Sequence, residues 1–215
     1  MVKMYGALAA EPPMKTHILP PLAILLFLVG LSTGARARSQ DSRDDWKAVN
    51  IHNDLLRSLP HSLRSAPITE EERRQIYSQV DKGLRQEGLL GDGVPGQARS
   101  MVLAAQIGTV QLADDVRNQF LVKAPREICG NGGCPFWLFI PLRGQLQVAL
   151  SGGAGALLMR KSMSHGFHDL VTVWHRGGGE AGYEVFRWNG RRYESSDCYI
   201  TRDQQSGSPE ISDCK

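Results

Sequence analysis

The stretch that decides the fold is Cys129-Gly-Asn-Gly-Gly-Cys-Pro-Phe-Trp-Leu-Phe-Ile140, in which two cysteines bracket four small residues and an aromatic segment follows at once. A ring closed over four residues forces tight turns, and glycine and asparagine tolerate the positive φ angles that tight turns use. The segment Phe136–Ile140 predicts a β-strand, and Gln145–Leu150 predicts its hairpin partner around Arg143-Gly144. We therefore expect a hairpin whose first strand begins at a covalent loop.

The cysteines allow three kinds of chemistry. The spacing of Cys129 and Cys134 is possible for a zinc knuckle, but a complete site would also need Cys198 and Cys214, which carry no partner motif. A catalytic thiol would need a histidine from elsewhere in the chain. Four cysteines in an exported chain favour disulfides, with three possible connectivities. We favour the two local pairs, Cys129–Cys134 and Cys198–Cys214.

The beginning of the chain predicts export. An apolar run, Ile18–Leu31, is followed by Ala35-Arg-Ala37, which is typical of a signal-peptidase site. The alternative is an uncleaved anchor, but about 14 apolar residues fall short of the roughly 20 that span a bilayer. We expect residues 1–37 to be a signal peptide cut after Ala37, or after Ala35, and the mature chain to be periplasmic or secreted.

Composition narrows the class of partner. Residues 38–215 carry 22 basic and 21 acidic residues, a net charge of +1, against +3 for all 215 residues. A nearly neutral chain has no electrostatic footprint for nucleic acid. We expect no nucleic-acid partner and no stable membrane span once the signal peptide is removed.

Residues 38–95 predict a helical N-terminal segment and linker. Trp46, Val49, Leu56 and Leu59 follow a helical period that Pro60 ends.

A second helix has a clearer start. Thr69-Glu-Glu-Glu72 forms a capping box, and Ile76, Val80 and Leu84 then form one apolar stripe that Gly88 is placed to end. The glycine-rich residues 86–99 predict a linker or long loop.

Residues 96–215 predict a disulfide-stapled β domain. The whole chain is then mainly β, α+β overall: an antiparallel meander, sandwich or open barrel of seven or eight short strands preceded by two helices. Further strands are expected at these segments: Met101–Ile107, Gln119–Lys123, Gly155–Arg160, Asp169–Trp174, Tyr183–Trp188 and from Arg191.

Three connections are expected in this domain. Asn189-Gly190 predicts a two-residue type I′ turn, which needs positive φ at both residues. Ser151–Ala156 predicts a turn between strands, because it lacks the ending of a phosphate-binding loop. His175–Glu180 predicts a flexible hairpin connection.

Two sets of side chains are candidates for ligand binding. Ser162, His165, His168 and Asp169 bring a hydroxyl, two imidazoles and a carboxylate into one loop. Their simpler interpretation is a polar loop that leads into a strand. Metal binding there would need a third ligand, and we expect no metal.

Tryptophans form the second set. Trp137, Trp174 and Trp188 could line a face that binds carbohydrate or peptide, and core packing is their simpler interpretation. Trp137 is kept as the candidate ligand-binding tryptophan.

Three motifs together resemble a known type of protein. They are Cys129-Gly-Asn-Gly-Gly-Cys134, Gly166-Phe-His-Asp-Leu170, and Tyr183–Tyr193 with its central Asn-Gly. This set resembles functionally uncharacterised exported bacterial proteins with a Cys-Gly-x-Gly-Gly-Cys loop, and the hairpins are loosely similar to FG-GAP-like repeats. The resemblance implies an exported β fold and supplies no catalytic residue. The stretch Leu112–Gln119, at the place where such repeats bind calcium, has no glycine.

The expected function is that of an exported, non-enzymatic binding or structural protein without a cofactor. Its partner would be an unidentified protein or glycan of the envelope or the extracellular space. The alternative is a cell-envelope hydrolase that uses the loop of His165, His168 and Asp169, with Glu180 as a further group. Convergence of these side chains in one pocket would favour the hydrolase.

Overall fold

A computed structural model describes residues 54–57, 59–91, 95–202 and 210–214. Within these ranges the chain is mainly β, with two antiparallel sheets of five strands each and two α-helices. The expected mainly β class is confirmed: the two sheets do not close into a barrel, which is consistent with a sandwich or a meander, and the described ranges hold ten strands rather than seven or eight. The expected signal peptide, Trp46 and Val49 lie outside the described residues.

The elements are numbered in chain order. Helix α1 is Glu70–Gln86, helix α2 is Pro95–Ala104, and Arg126–Ile128 forms a 3₁₀ turn. The first sheet has the order β1 to β5: His61–Ser62, Gln106–Thr109, Phe120–Lys123, Cys134–Leu142 and Gln145–Ala154. The second sheet has the order β10 to β6, and in chain order its strands β6 to β10 are Ala156–Ser164, Phe167–Gly177, Glu180–Trp188, Tyr193–Arg202 and Glu210–Asp213.

Helix α1 begins and ends where the sequence predicts. The Thr69 hydroxyl accepts from the Glu72 amide at 3.2 Å, and the Glu72 carboxylate accepts from the Thr69 amide at 2.9 Å. The three residues of the apolar stripe have no exposed surface: Ile76, Val80 and Leu84. Gly88 has φ +68 just beyond the helix, which is the left-handed conformation that terminates helices.

The first sheet is buried on both faces. Along β4, Trp137 and Phe139 pack under α1, whereas Leu138 and Ile140 pack towards the second sheet. This alternation follows from the two-residue period of a strand. The described part of the chain from residue 54 onwards therefore has three layers: helices, first sheet and second sheet.

One long strand passes from the first sheet into the second. β5 ends at Ala154 and β6 begins at Ala156, so the expected turn at Ser151–Ala156 is wrong. Gly155 is the corner, and its amide donates to the Val173 carbonyl at 2.7 Å. A Cβ at Gly155 would lie 3.3 Å from the same carbonyl oxygen, so the glycine lets two backbones approach at a sharp bend.

The expected strand at Met101–Ile107 is also corrected. Helix α2 continues to Ala104, and strand β2 starts only at Gln106. Pro95 is the first residue of α2, a position where its missing N–H removes no helical hydrogen bond. Val102 is buried from within the helix, so its apolar character reflects packing rather than strand formation.

Leu56 and Leu59 are not part of a helix, in contrast to the expectation. Residues 54–57 form a β-bridge and a turn beside β6. The Asp54 carboxylate accepts from the amides of Leu56 at 3.0 Å and Leu157 at 3.1 Å. Both leucines are buried in the core between the sheets, which explains their apolar pattern.

Of the two expected turns with glycine at their second position, the one at Arg143-Gly144 is present as a two-residue turn and the one at Asn189-Gly190 is not. Trp188 pairs with Tyr193, so residues 189–192 form a four-residue connection, and Asn189 lacks the positive φ of a type I′ turn. Arg143-Gly144 and His165-Gly166 have positive φ at both residues, +54 and +79 in the first and +49 and +83 in the second. These two hairpins have the positive φ angles at both turn residues that were expected at Asn189-Gly190.

Both expected disulfides are present. Cys129 bonds Cys134 and Cys198 bonds Cys214, with Cα separations of 4.2 and 5.4 Å. The first lies at the beginning of β4, and the second joins β9 to the chain just after β10. Two such bonds indicate an oxidising compartment. Within the described ranges, no helix is long and apolar enough to cross a bilayer.

Candidate functional site

The two candidate histidines lie on the β6–β7 hairpin but face different partners. Nδ1 of His165 is 2.8 Å from the Trp188 carbonyl oxygen, and Nδ1 of His168 is 2.8 Å from the Arg160 carbonyl oxygen. A carbonyl oxygen only accepts, so each Nδ1 carries the proton and donates. Each ring thus ties the hairpin to backbone, and among the described residues neither imidazole is hydrogen-bonded to a hydroxyl or a carboxylate.

Asp169 is buried beside a serine and a tyrosine. Its side chain is 3 % exposed, Oδ2 accepts from the Ser162 hydroxyl at 2.7 Å, and Oδ1 has no partner among the described residues. The Tyr193 hydroxyl donates to the His168 carbonyl oxygen at 2.8 Å. Burial, and secondly the nearby Asp169 charge, raise the pKa of Tyr193 well above its usual value. The structure brings Ser162 and Asp169 together without the base-to-nucleophile contact of a catalytic pair.

Two of the three candidate tryptophans are core residues. Trp137 is 4 % exposed and lies against helix α1, where a Cβ on Gly83 would be 2.7 Å from its Nε1. Trp188 is buried and stacks on Phe167, with ring centroids 4.5 Å apart. Neither indole presents a face for a ligand, which agrees with the simpler interpretation of core packing.

Trp174 is different, because it is half-buried at one end of the sandwich. Its indole lies on the backbone of Gly182, where an added Cβ would be only 2.2 Å from the ring. The glycine on the neighbouring strand therefore makes room for a flat indole. The remaining surface of Trp174 contributes to an open recess.

This recess has a volume of about 360 Å³ and contains no polar side chain. Its walls are the glycines of the Cys129–Cys134 loop together with Gly153, and the side chains of Leu89, Ile128, Pro135 and Trp174.

The position of the recess follows from the length of α1. Trp137 packs under the helix, so Pro135, two residues earlier on β4, points to the same face of the sheet. Pro135 pairs with Gly153 on β5. The chain leaves α1 after Gln86 and turns at Gly88, and Leu89, just beyond the helix, borders the recess together with this pair. Leu89 is 38 % exposed at the margin.

The disulfide loop forms a rigid wall of the recess. Gly130 and Gly133 exchange both backbone hydrogen bonds, at 2.9 and 3.1 Å, so the loop is a closed miniature hairpin. Gly133 has φ +124, and a Cβ there would lie 2.0 Å from the Ala154 carbonyl carbon. In contrast, a Cβ at Gly130, Gly132 or Gly153 would meet no atom within 4 Å. These last three positions border open space.

Sequence reasoning interpreted the Cys129–Cys134 loop as a structural disulfide and kept Trp137 rather than Trp174 as the ligand-binding candidate, and it missed Leu89, Ile128 and Gly153. Leu89 and Ile128 are isolated apolar residues beside glycine-rich segments, and the sequence gives no other signal for them. Within the described residues, no three side chains of histidine, cysteine, aspartate or glutamate form a group that could hold a metal ion.

Comparisons of the chain with protein-family models, with curated proteins and with solved structures found no match.

Proposed function

We propose that this chain is an exported, non-enzymatic binding protein that takes an apolar group of its partner into the recess beside Trp174. The observation that carries the proposal is a recess lined only by apolar side chains and glycine backbone, with one wall fixed by a disulfide. A rigid wall reduces the entropy lost on binding. The recess is open and its lining is mainly apolar, as the centre of a protein–protein contact usually is.

The lining favours a protein partner over a glycan. Sugar hydroxyls need several hydrogen-bonding side chains beside the aromatic ring, and the recess offers only the indole N–H of Trp174 itself. A volume of about 360 Å³ accommodates one or two large apolar side chains. The compartment proposed is the periplasm or the extracellular space, which the two disulfides support.

The hydrolase alternative has weaker support. Its histidines donate to the carbonyls of Trp188 and Arg160, and Asp169 is hydrogen-bonded to Ser162. A catalytic constellation would need one of these imidazoles to reach a nucleophile or a water. We therefore place the function in the recess rather than in the hairpin.

Site-specific photo-crosslinking tests the proposal. A benzophenone amino acid replaces Gly132, which faces open space, and in a control protein it replaces Met163, which is 49 % exposed on the β6–β7 hairpin. After irradiation of cells that export the protein, we expect a discrete protein adduct from position 132 and none from position 163. The adduct should disappear when Gly153→Leu fills the recess or Trp174→Ala removes its wall.

Urea unfolding separates loss of binding from loss of folding. Gly153 borders open space without positive φ, so Gly153→Leu should keep the unfolding midpoint of the parent. A folded Gly153→Leu protein that keeps the adduct would overturn the proposal. Equal adducts at both positions, or labelling of glycan in place of protein, would overturn it as well.

A further inference from the structure

The connection between β8 and β9 is held in one conformation by its first residue. The Asn189 side-chain oxygen accepts from the amides of Arg191 and Arg192, both at 2.9 Å. The Asn189 amide donates to the Arg192 carbonyl at 3.0 Å. Gly190 has φ +95, which places the following arginines on a tight turn. The two guanidinium groups therefore start from a fixed backbone.

The two arginines differ in charge compensation. Arg192 donates from Nε and Nη2 to one oxygen of Glu194, at 3.1 and 3.0 Å. This hydrogen bond, and secondly one from Asn189, lower the pKa of the Glu194 carboxyl. Arg191 makes no side-chain hydrogen bond or ion pair with any residue that the structure describes. Among the described residues, a carboxylate thus compensates the guanidinium of Arg192 and none compensates that of Arg191.

Arg191 borders a second recess, at the opposite end of β5 from Gly153. Its volume is about 400 Å³, and most of its lining is polar. It is bounded by the first sheet at Gln147 and Val148 and by the turn at Asn189, Arg191, Arg192 and Glu194. The Gln147 amide of the first sheet and the Arg191 guanidinium of the connection between β8 and β9 are both N–H donors, and both residues border this recess.

We propose that this recess binds a tetrahedral oxyanion of the phosphate class, with Arg191 as the principal ligand and Arg192 and Gln147 as further donors. A guanidinium offers paired N–H groups that match two oxygens of such an anion. Charge complementarity comes from Arg191, because Arg192 and Glu194 already compensate each other. The anion is either free phosphate or the phosphate of an anionic lipid headgroup, which share this chemistry.

Titration of the ¹⁵N-labelled, disulfide-bonded protein with inorganic phosphate, followed by NMR, tests the site. The amides of Gly190 and Arg191 and the Arg191 Nε–H should shift and saturate, with sodium chloride of equal ionic strength as the control. Arg191→Gln should weaken phosphate binding about tenfold or more, because a charge-assisted hydrogen bond is lost. Arg99→Gln, an exposed arginine on α2, should change it less than twofold.

Arg191→Lys adds a readout of geometry. It keeps the charge but loses the paired donors, so its affinity should lie between those of the parent and Arg191→Gln. The site would be overturned if saturating shifts persist in Arg191→Gln. It would also be overturned if Arg99→Gln weakens phosphate binding as much as Arg191→Gln does.

A second arm distinguishes the two sources of the anion. If vesicles of phosphatidylglycerol and phosphatidylcholine bind the protein and phosphate displaces them, the headgroup is the source. If phosphate binds and the vesicles do not, free phosphate is the source. Binding of neither would overturn the proposal. The apolar recess lies at the other end of β5, so Gly153→Leu should leave phosphate binding unchanged.

Discussion

At the scale of single residues, two glycines of the disulfide loop and the buried phenol of Tyr193 lead to predictions about stability. Gly133 combines φ +124 with an approach of 2.0 Å between its missing Cβ and the Ala154 carbonyl carbon. Gly132, its neighbour in the same loop, has neither constraint. The adjacent glycines are a matched pair, because both lie in the loop closed by the Cys129–Cys134 disulfide and only one of them is sterically constrained.

Gly133→Ala should destabilise the protein by about 2–3 kcal/mol or more, since strained backbone alone costs roughly 1–3 kcal/mol and the clash adds to it. Gly132→Ala should change the free energy of unfolding by less than about 0.5 kcal/mol, as exposed substitutions usually do. Urea unfolding of the oxidised proteins measures both. Equal effects of the two substitutions would show that the loop conformation is not the one described.

Tyr193 provides a prediction for alkaline pH. Burial raises its folded-state pKa above the ordinary value of 10.0, so folding favours the neutral phenol. The stability that this supplies is fully present below pH 10 and is lost as pH rises towards the folded-state pKa. Above pH 10, the free energy of unfolding should fall more steeply in the parent than in Tyr193→Phe, by up to about 1.4 kcal/mol per pH unit.

The same variant should be less stable at neutral pH. Tyr193→Phe loses the hydrogen bond to the His168 carbonyl oxygen and should lose about 0.5–1.5 kcal/mol at pH 7. Urea titrations at several pH values from 7 to 11 measure both effects. Parallel curves for the two proteins above pH 10 would contradict the burial of the phenol.

At the scale of elements, the contact of helix α1 with β4 depends on a glycine in the middle of the helix. Alanine is preferred to glycine in a helix interior by about 1 kcal/mol. At Gly83, however, an added Cβ would lie 2.7 Å from Nε1 of Trp137. Packing therefore opposes helix propensity at this position, and the sequence period alone does not show which effect is larger.

We expect the packing effect to exceed the propensity effect. Gly83→Ala should lower the free energy of unfolding by about 1–3 kcal/mol, the usual range for overpacking. Gly96→Ala, on α2 with no atom within 4 Å of the new Cβ, should cause no loss and a gain of at most about 1 kcal/mol. Thermal unfolding followed by circular dichroism compares them, and a stabilised Gly83→Ala protein would contradict the contact with Trp137.

At the scale of the whole molecule, the two disulfides constrain loops of different length. Cys129 and Cys134 are five positions apart, and Cys198 and Cys214 are 16 positions apart. The longer loop restricts the unfolded chain more, so its disulfide should stabilise more. The short disulfide fixes the wall of the apolar recess, and its main role lies there.

Replacing both cysteines of a pair with alanine tests this difference. Loss of Cys198–Cys214 should cost about 3 kcal/mol and loss of Cys129–Cys134 about 2 kcal/mol, by the loop-entropy relation. Urea unfolding of the two double variants gives the values. A larger loss from the shorter loop would mean that contacts in the folded state, rather than chain entropy, set the contribution of the disulfide.

Several elements could be predicted from sequence because their causes are local. The capping box at Thr69, the stripe at Ile76, Val80 and Leu84, and the hairpin at Arg143-Gly144 depend on residues within a few positions of each other. The disulfide pairs were predicted because the expected export and the proximity of the cysteines in sequence together favour them. The mainly β class follows from the same short-range patterns.

The elements that were wrong depend on distant neighbours. An apolar run such as Met101–Ile107 suits a strand or a buried helix, and packing of Val102 decided for the helix. Ser151–Ala156 contains three glycines that suit a turn, yet pairing with β4 and β7 keeps it extended and bends it only at Gly155. Asn189 uses its side chain to fix a four-residue connection instead of a two-residue turn.

By itself, the sequence determined the helix boundaries at Thr69 and Gly88, most strands and the covalent loops, because each depends on short-range sterics, capping or ring closure. Only the tertiary structure decided that Trp137 is buried and Trp174 is not. It also decided that Leu89 lies beside Pro135 and Gly153, and that Arg191 and Gln147 border one recess. Both recesses are made by residues far apart in the chain, and their surfaces exist only once the layers have packed.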